Sequence, residues 1–165
     1  MPDDTQPAPD SSRLQAAIGQ TRPFASASQE ALLGIVHTGS MIDRLISRYL
    51  VPFKISSAQY NVLRILRGAG PSGLPTLTIR CRMIDPNSAI TRLVDKLEKA
   101  GLVSRSRAVE DRREVRCRIT EKGLSLLQEL DSIVSAHDDV LAPGLSASEL
   151  RQLTQLLDRV RGILG

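Results

Sequence analysis

Aromatic residues are almost missing from this chain: two tyrosines, two phenylalanines and no tryptophan among 165 residues. A β-sandwich core draws on aromatic and β-branched side chains, so that fold class is disfavoured. The core must instead come from Leu, Ile, Val and Ala, a mixture suited to packed helices. Cysteine and histidine are equally scarce. Cys81 and Cys117 are too few for a disulfide framework and lack zinc-ligand spacing, and His37 and His137 are the only histidines. Neither a metal site nor a cofactor is expected. The chain has no Ser–His–Asp or Cys–His arrangement and no phosphate loop, so an enzyme is not expected either. No apolar run approaches the roughly 20 residues needed to span a bilayer. The opening MPDDTQPAPDSS is acidic and proline-rich, unlike a secretory signal. A reducing cytoplasm is the expected compartment, with no membrane partner.

What the chain does have is unevenly distributed charge. Residues 80–122 hold twelve Lys/Arg against seven Asp/Glu, a net of +5, while the remainder holds ten against eleven, a net of −1. A positive segment on a neutral scaffold fits a polyanion-binding module. Charge alone fits a solvated surface equally well.

The chain organises as follows. Residues 1–27 read as a disordered or loosely attached arm. Over 28–50, Leu32, Ile35, Val36, Ile42, Leu45, Ile46 and Tyr49 recur at helical steps, and Pro52 ends the run. ISSAQYNVLRILRGAG predicts a second helix, with Ser56 and Gln59 as a capping box and Gly68, Gly70 and Pro71 as its stop. A short helix fits 75–83. The sequence IDPNS then places Asp85 as N-cap and Pro86 at the first helical position, so a fourth helix is predicted over 86–100, closed by Gly101. Ile90, Leu93, Val94 and Leu97 form its apolar stripe.

Two alternating strands follow, LVSRSRA and EVRCRIT, joined by VEDRRE. Val115, Cys117 and Ile119 point one way and Arg116 and Arg118 the other. Both cysteines read as buried structural residues. Two more apolar-striped helices are predicted at 120–142 and 146–164, the latter with a Ser146–Glu149 capping box.

The fourth helix leaves Asn87, Ser88, Thr91, Arg92, Asp95 and Lys99 on its outer face. Asn, Ser, Thr and Arg on the N-terminal half of a helix suit base edges and phosphates in a major groove. An amphipathic surface helix with a polar start has the same pattern. The hairpin shifts the balance. Arg112 and Arg113 at its tip suit the narrow, negative minor groove, and Arg105, Arg107, Arg116 and Arg118 suit phosphate contacts. Glu110, Asp111 and Glu114 imply that part of this charge is paired within the tip, with Asp111 bracing the turn.

ITRLVDKLEKAGLVSRSRAVEDRREVRCRITEKG resembles the core of the MarR family of winged-helix transcriptional regulators, and MIDRLISRYLVPFKISSAQYNVLRIL resembles the family's first helix and the start of its second. The resemblance runs from about residue 30 to 165. It implies a mainly α fold with a small β-hairpin wing: a winged helix-turn-helix core at 56–120, an N-terminal dimerisation helix at 28–55 and C-terminal dimerisation helices at 121–165. It places Ser88, Thr91 and Arg92 where family members touch bases and phosphates, and Asp111, Arg112 and Arg113 at the wing tip. The chain departs from the family in having TLTIRCRM where a Leu-Ala pair is usual, and Glu114 where the wing usually has a second aspartate.

The expected function is that of a homodimeric, sequence-specific DNA-binding regulator acting as a repressor. The recognition helix 86–100 would enter the major groove and the wing 104–118 the minor groove of a pseudo-palindromic duplex. Terminal helices whose stripes a winged-helix core cannot bury would find them a partner in a second copy. The resemblance also implies release by a small aromatic or phenolic effector, with His37, Met41, Arg44, Arg48 and Tyr49 as its candidate contacts. The alternative function is a winged helix used for protein contacts without specific DNA binding.

Overall fold

The structure, a computed structural model, describes residues 13–107, 115–135 and 143–165. The chain divides into two compact units, Met1–Arg48 and Tyr49–Gly165.

The first unit holds α1 (Arg13–Ala17) and most of α2 (Ala27–Leu50). The helix α1 lies inside the segment expected to be a disordered or loosely attached arm. Leu14 is half-buried, and its Cδ2 approaches within 3.6 Å of where a side chain on Gly34 would begin. Leu14 thus lies within contact distance of α2 in a stretch whose composition is otherwise that of a tail.

The second unit is built around α3 (Ser57–Ala69), α4 (Thr76–Arg82), α5 (Ile90–Lys99) and α6 (Glu121–Ser135), with α7 (Ala147–Leu164) at its C-terminal end. The capping box that starts α3 forms as expected: the Gln59 N–H donates to Ser56 Oγ at 3.2 Å and the Ser56 N–H donates to Gln59 Oε1 at 3.0 Å. The same reciprocal pattern starts α7, between Ser146 and Glu149. The core joins Val62, Leu63 and Leu66 of α3, Ile79 of α4, Val94 and Leu97 of α5, and Leu127 and Leu130 of α6, all without solvent exposure. At roughly 1.5–3 kcal/mol for each fully buried aliphatic side chain, this cluster is the main source of cohesion.

The hairpin consists of β2 (Val103–Arg107) and β3 (Val115–Ile119), paired antiparallel with Val103 opposite Ile119 and Arg105 opposite Cys117. It belongs to a three-stranded sheet of order β1-β3-β2, because β1 (Leu74–Pro75) pairs with the other edge of β3. Two residues are too few to show alternation, and Pro75 lacks an N–H, which an edge strand tolerates. Gly73, with φ of +63°, leads into this strand. Any side chain there would begin 2.4 Å from the Cys117 carbonyl oxygen, so the close approach of β1 to β3 requires glycine.

Candidate nucleic-acid interface

The helix α5 buries Ile90, Val94 and Leu97 and leaves Leu93 half-buried, as its stripe predicts. Its start differs from the expectation. Asp85 does not cap a helix at Pro86. Its Oδ1 accepts from the Asn87 N–H at 3.0 Å, its Oδ2 accepts from Ser88 Oγ at 3.0 Å, and its carbonyl accepts from the Ser88 N–H at 3.2 Å. The acid closes its own turn instead, a local alternative open to Asp. The helix therefore begins four residues later than expected, at Ile90, and Asn87 and Ser88 sit in a turn ahead of it. No side chain caps its first turn.

That turn and the first turn of α5 enclose an open concavity of about 450 Å³, lined by Arg80, residues 86–89, Ile90, Thr91 and Arg92. Arg80, Asn87, Thr91 and Arg92 are exposed and Ser88 is half-buried. An uncapped helix start presents N–H groups and the positive end of a dipole, and two guanidinium groups border the same hollow. The arrangement is chemically suited to a phosphate and to polar base edges. Sequence reasoning did not include Arg80 among the contacts. It falls within TLTIRCRM, where the chain departs from the family pattern, and its helix, α4, carries it to the rim.

The hairpin arginines divide between the two faces of the sheet. The register puts Arg105 and Arg107 on the face of Val103, Cys117 and Ile119, and Arg116 and Arg118 on the face of Ser104 and Ser106. Arg105, expected as a phosphate contact, is instead held by α5. Its Nη1 pairs with Asp95 Oδ1 at 2.6 Å and with Glu98 Oε2 at 3.4 Å, and its Nη2 donates to the Thr91 carbonyl at 3.4 Å. Burial works against its charge, and the hydrogen bond and charge of Asp95, joined by Glu98, outweigh that and raise its pKa. Arg118 is likewise engaged, donating to the Pro71 carbonyl at 2.9 Å and to Ser106 Oγ at 2.5 Å. Arg107 is exposed and Arg116 half-buried. Arg112 and Arg113, with Asp111, lie outside the described residues.

Cys117 is fully buried, as expected, and Cys81 is exposed, contrary to expectation. The α4 face that carries Cys81 also carries Leu77, itself 62% exposed. His37, Met41, Arg44 and Arg48 recur along α2 at steps of three and four, which aligns them on one stripe, and Tyr49 falls beside it. His37 and Tyr49 are half-buried, and Met41, Arg44 and Arg48 are exposed. No group of His, Cys, Asp and Glu among the described residues could hold a metal ion. No helix among them is long and apolar enough to cross a membrane.

Residues 55–115 match the model of the MarR family. The HTH-type transcriptional regulator PecS of Dickeya dadantii (strain 3937) is 31% identical over 143 residues, spanning 84% of this chain and 85% of that protein. A MarR transcription factor from Planctomyces limnophilus is 37% identical, with a TM-score of 0.62 over 82% of this chain and 98% of its own. A mutant MarR from E. coli, solved in complex with operator DNA, is 28% identical, with a TM-score of 0.69 over 79% of this chain and 93% of its own. The winged-helix layout, the family match and these relatives agree: the chain belongs to the MarR family of DNA-binding, non-enzymatic transcriptional regulators.

Proposed function

We propose that the protein is a homodimeric repressor that reads a pseudo-palindromic duplex with the first turn of α5 and the turn before it. One observation carries this reading: the uncapped start of α5 opens into a concavity bordered by Arg80, Asn87, Ser88, Thr91 and Arg92. Thr91 and Arg92, with Asn87 and Ser88, would address base edges and phosphates. Arg112 and Arg113 would probe the minor groove, and Arg116 would add a phosphate contact. The relative solved with operator DNA supports the same choice of partner. The protein-contact alternative would have no use for this polar hollow.

Dimerisation is supported by apolar side chains left uncovered on the terminal helices. Leu32, Val36 and Ile42 on α2 are 54%, 61% and 45% exposed, and Leu156 and Ile163 on α7 are 48% and 83% exposed. A second copy would cover them. The dimer would be formed by residues 28–55 and 121–165, with 56–120 as the DNA-binding part. The α2 stripe of His37, Met41, Arg44 and Arg48, with Tyr49, is the proposed contact set for a small aromatic or phenolic effector. Either arginine can pair with a carboxylate on it. The protein would work in the cytoplasm.

The test is duplex binding by fluorescence anisotropy at several salt concentrations. The reading expects a steep salt dependence, and it expects Thr91→Ala and Arg92→Ala each to weaken binding by about 1–3 kcal/mol. Binding that neither substitution alters would refute this placement of the interface.

A further inference from the structure

The helix α6 is tied to the winged-helix core at two separate places. At its start, the Thr120 N–H donates to the Leu102 carbonyl at 3.1 Å, Thr120 Oγ1 to the Gly101 carbonyl at 2.7 Å, and Lys122 Nζ to the Ala100 carbonyl at 2.8 Å. These acceptors are the residues that leave α5, so the start of α6 is fastened directly to the end of the recognition helix. The second tie lies eleven residues on, about 16 Å along the axis at the usual helical rise. There the Arg67 guanidinium of α3 grips the Asp131 carboxylate with both terminal nitrogens, Nη1 to Oδ2 and Nη2 to Oδ1, the latter at 3.3 Å.

Between the two ties α6 rests on the core through Leu127 and Leu130, both fully buried. Apolar contact of this kind is strong but non-directional. A helix held by a leucine stripe can roll about it at small cost. A two-point guanidinium–carboxylate contact has a fixed geometry and resists that roll. The pair is partly exposed, with 37% of the Arg67 side chain and 45% of the Asp131 side chain open to solvent. It therefore has little to contribute to stability and much to contribute to orientation.

We infer that the Arg67–Asp131 pair is a specificity-determining joint that fixes the angle of α6 on the core and thereby sets the half-site spacing the dimer accepts. This rests on the dimer reading proposed above. In a two-fold dimer held through the C-terminal helices, the two copies of α5 can change their separation only if the core turns on α6. One base pair inserted between half-sites moves them apart by about 3.4 Å and turns one against the other by about 34°. A rigid joint rejects such a duplex and a loose one follows it.

The probe is the duplex that the wild-type protein itself enriches from a randomised pool, together with versions carrying one base pair inserted or deleted at its centre, and a single half-site. The wild type is expected to bind the respaced duplexes at least about tenfold more weakly than the enriched one. Arg67→Met and Asp131→Leu are expected to bring that ratio to about threefold or less, with unchanged affinity for the single half-site. The charge-exchanged double variant, Arg67→Asp with Asp131→Arg, restores discrimination. A core that merely unfolded would lose the single half-site as well. An unchanged spacing ratio in both single variants overturns the joint. A wild type that sediments as a monomer, or that enriches an isolated half-site, overturns the dimer reading and the joint with it.

Discussion

Arg105 on β2 and Asp95 on α5 are joined by an ion pair of 2.6 Å, so the strand that leads into the wing is fastened to the helix proposed to read DNA. Glu98, one turn further along α5, holds the same guanidinium at 3.4 Å. An arginine held in this way orients the hairpin and is not free to neutralise a phosphate. The account therefore expects Arg105→Ala to weaken duplex binding without altering its salt dependence. Loss of a true phosphate contact lowers the slope of log K against log salt by about 0.9, and that is the expectation for Arg92→Ala. Titrations of both variants at four or more salt concentrations distinguish the two. A reduced slope for Arg105→Ala would return it to the DNA contacts.

Gly123 is a second joint, where α6 passes the end of α5. A side chain there would begin 2.4 Å from the Leu102 carbonyl oxygen and 2.7 Å from Ile119 Cγ1. The carbonyl cannot withdraw without losing the Thr120 N–H. Gly123→Ala is expected to cost about 1–3 kcal/mol, the usual range for overpacking. Thermal denaturation should record a clear fall in Tm, and an unchanged Tm would mean the backbones separate freely.

The two thiols should behave differently. Cys117 is fully buried against the core and Cys81 is exposed on α4. In the native protein a chromogenic disulfide reagent should titrate one thiol promptly and the second only after denaturant is added. Prompt reaction of both would contradict the packing of β3.

The start of α7 should respond to acid. Hydrogen bonds from the Ser146 hydroxyl and then from its backbone N–H lower the pKa of Glu149 below the ordinary 4.5, against a small opposing effect of burial. A depressed carboxylate stabilises above its unfolded pKa, and that contribution is lost as pH falls through the folded value. NMR titration should therefore find Glu149 below 4.5, with the first turn of α7 loosening only as the carboxylate protonates. In Glu149→Gln the acid response of that turn should vanish. Persistence of the response in the variant would assign it elsewhere.

Much of the fold could be read from residue order because its signals are local. The capping boxes at Ser56 and Ser146, the α5 stripe and the inward-facing Cys117 each depend on neighbours within a few positions. The departures from expectation have a common origin in choices that local pattern leaves open. Asp85 before Pro86 satisfies the rule for a helix start, yet the same carboxylate can close a turn with Asn87 and Ser88, and it does. Alternation in β2 separates Arg105 from Ser104 and Ser106 but does not say which face meets α5. The strand β1 is too short to alternate at all. Arg80 reaches the rim of the candidate site from a different helix, through tertiary packing that spacing within one helix does not encode. Leu14 of α1 likewise lies near Gly34 on another helix, a neighbour that local spacing does not show.

The central claim is that two copies of α5 read two half-sites related by two-fold symmetry. Selection from a randomised duplex pool, with the enriched sequences read directly, tests it in one step. The account predicts an inverted repeat whose half-site centres lie about one helical turn apart, roughly 10–10.5 base pairs, and predicts that Thr91→Ala relaxes the choice of base symmetrically in both halves. Enrichment of a single unrepeated half-site, or of no sequence at all, would contradict it.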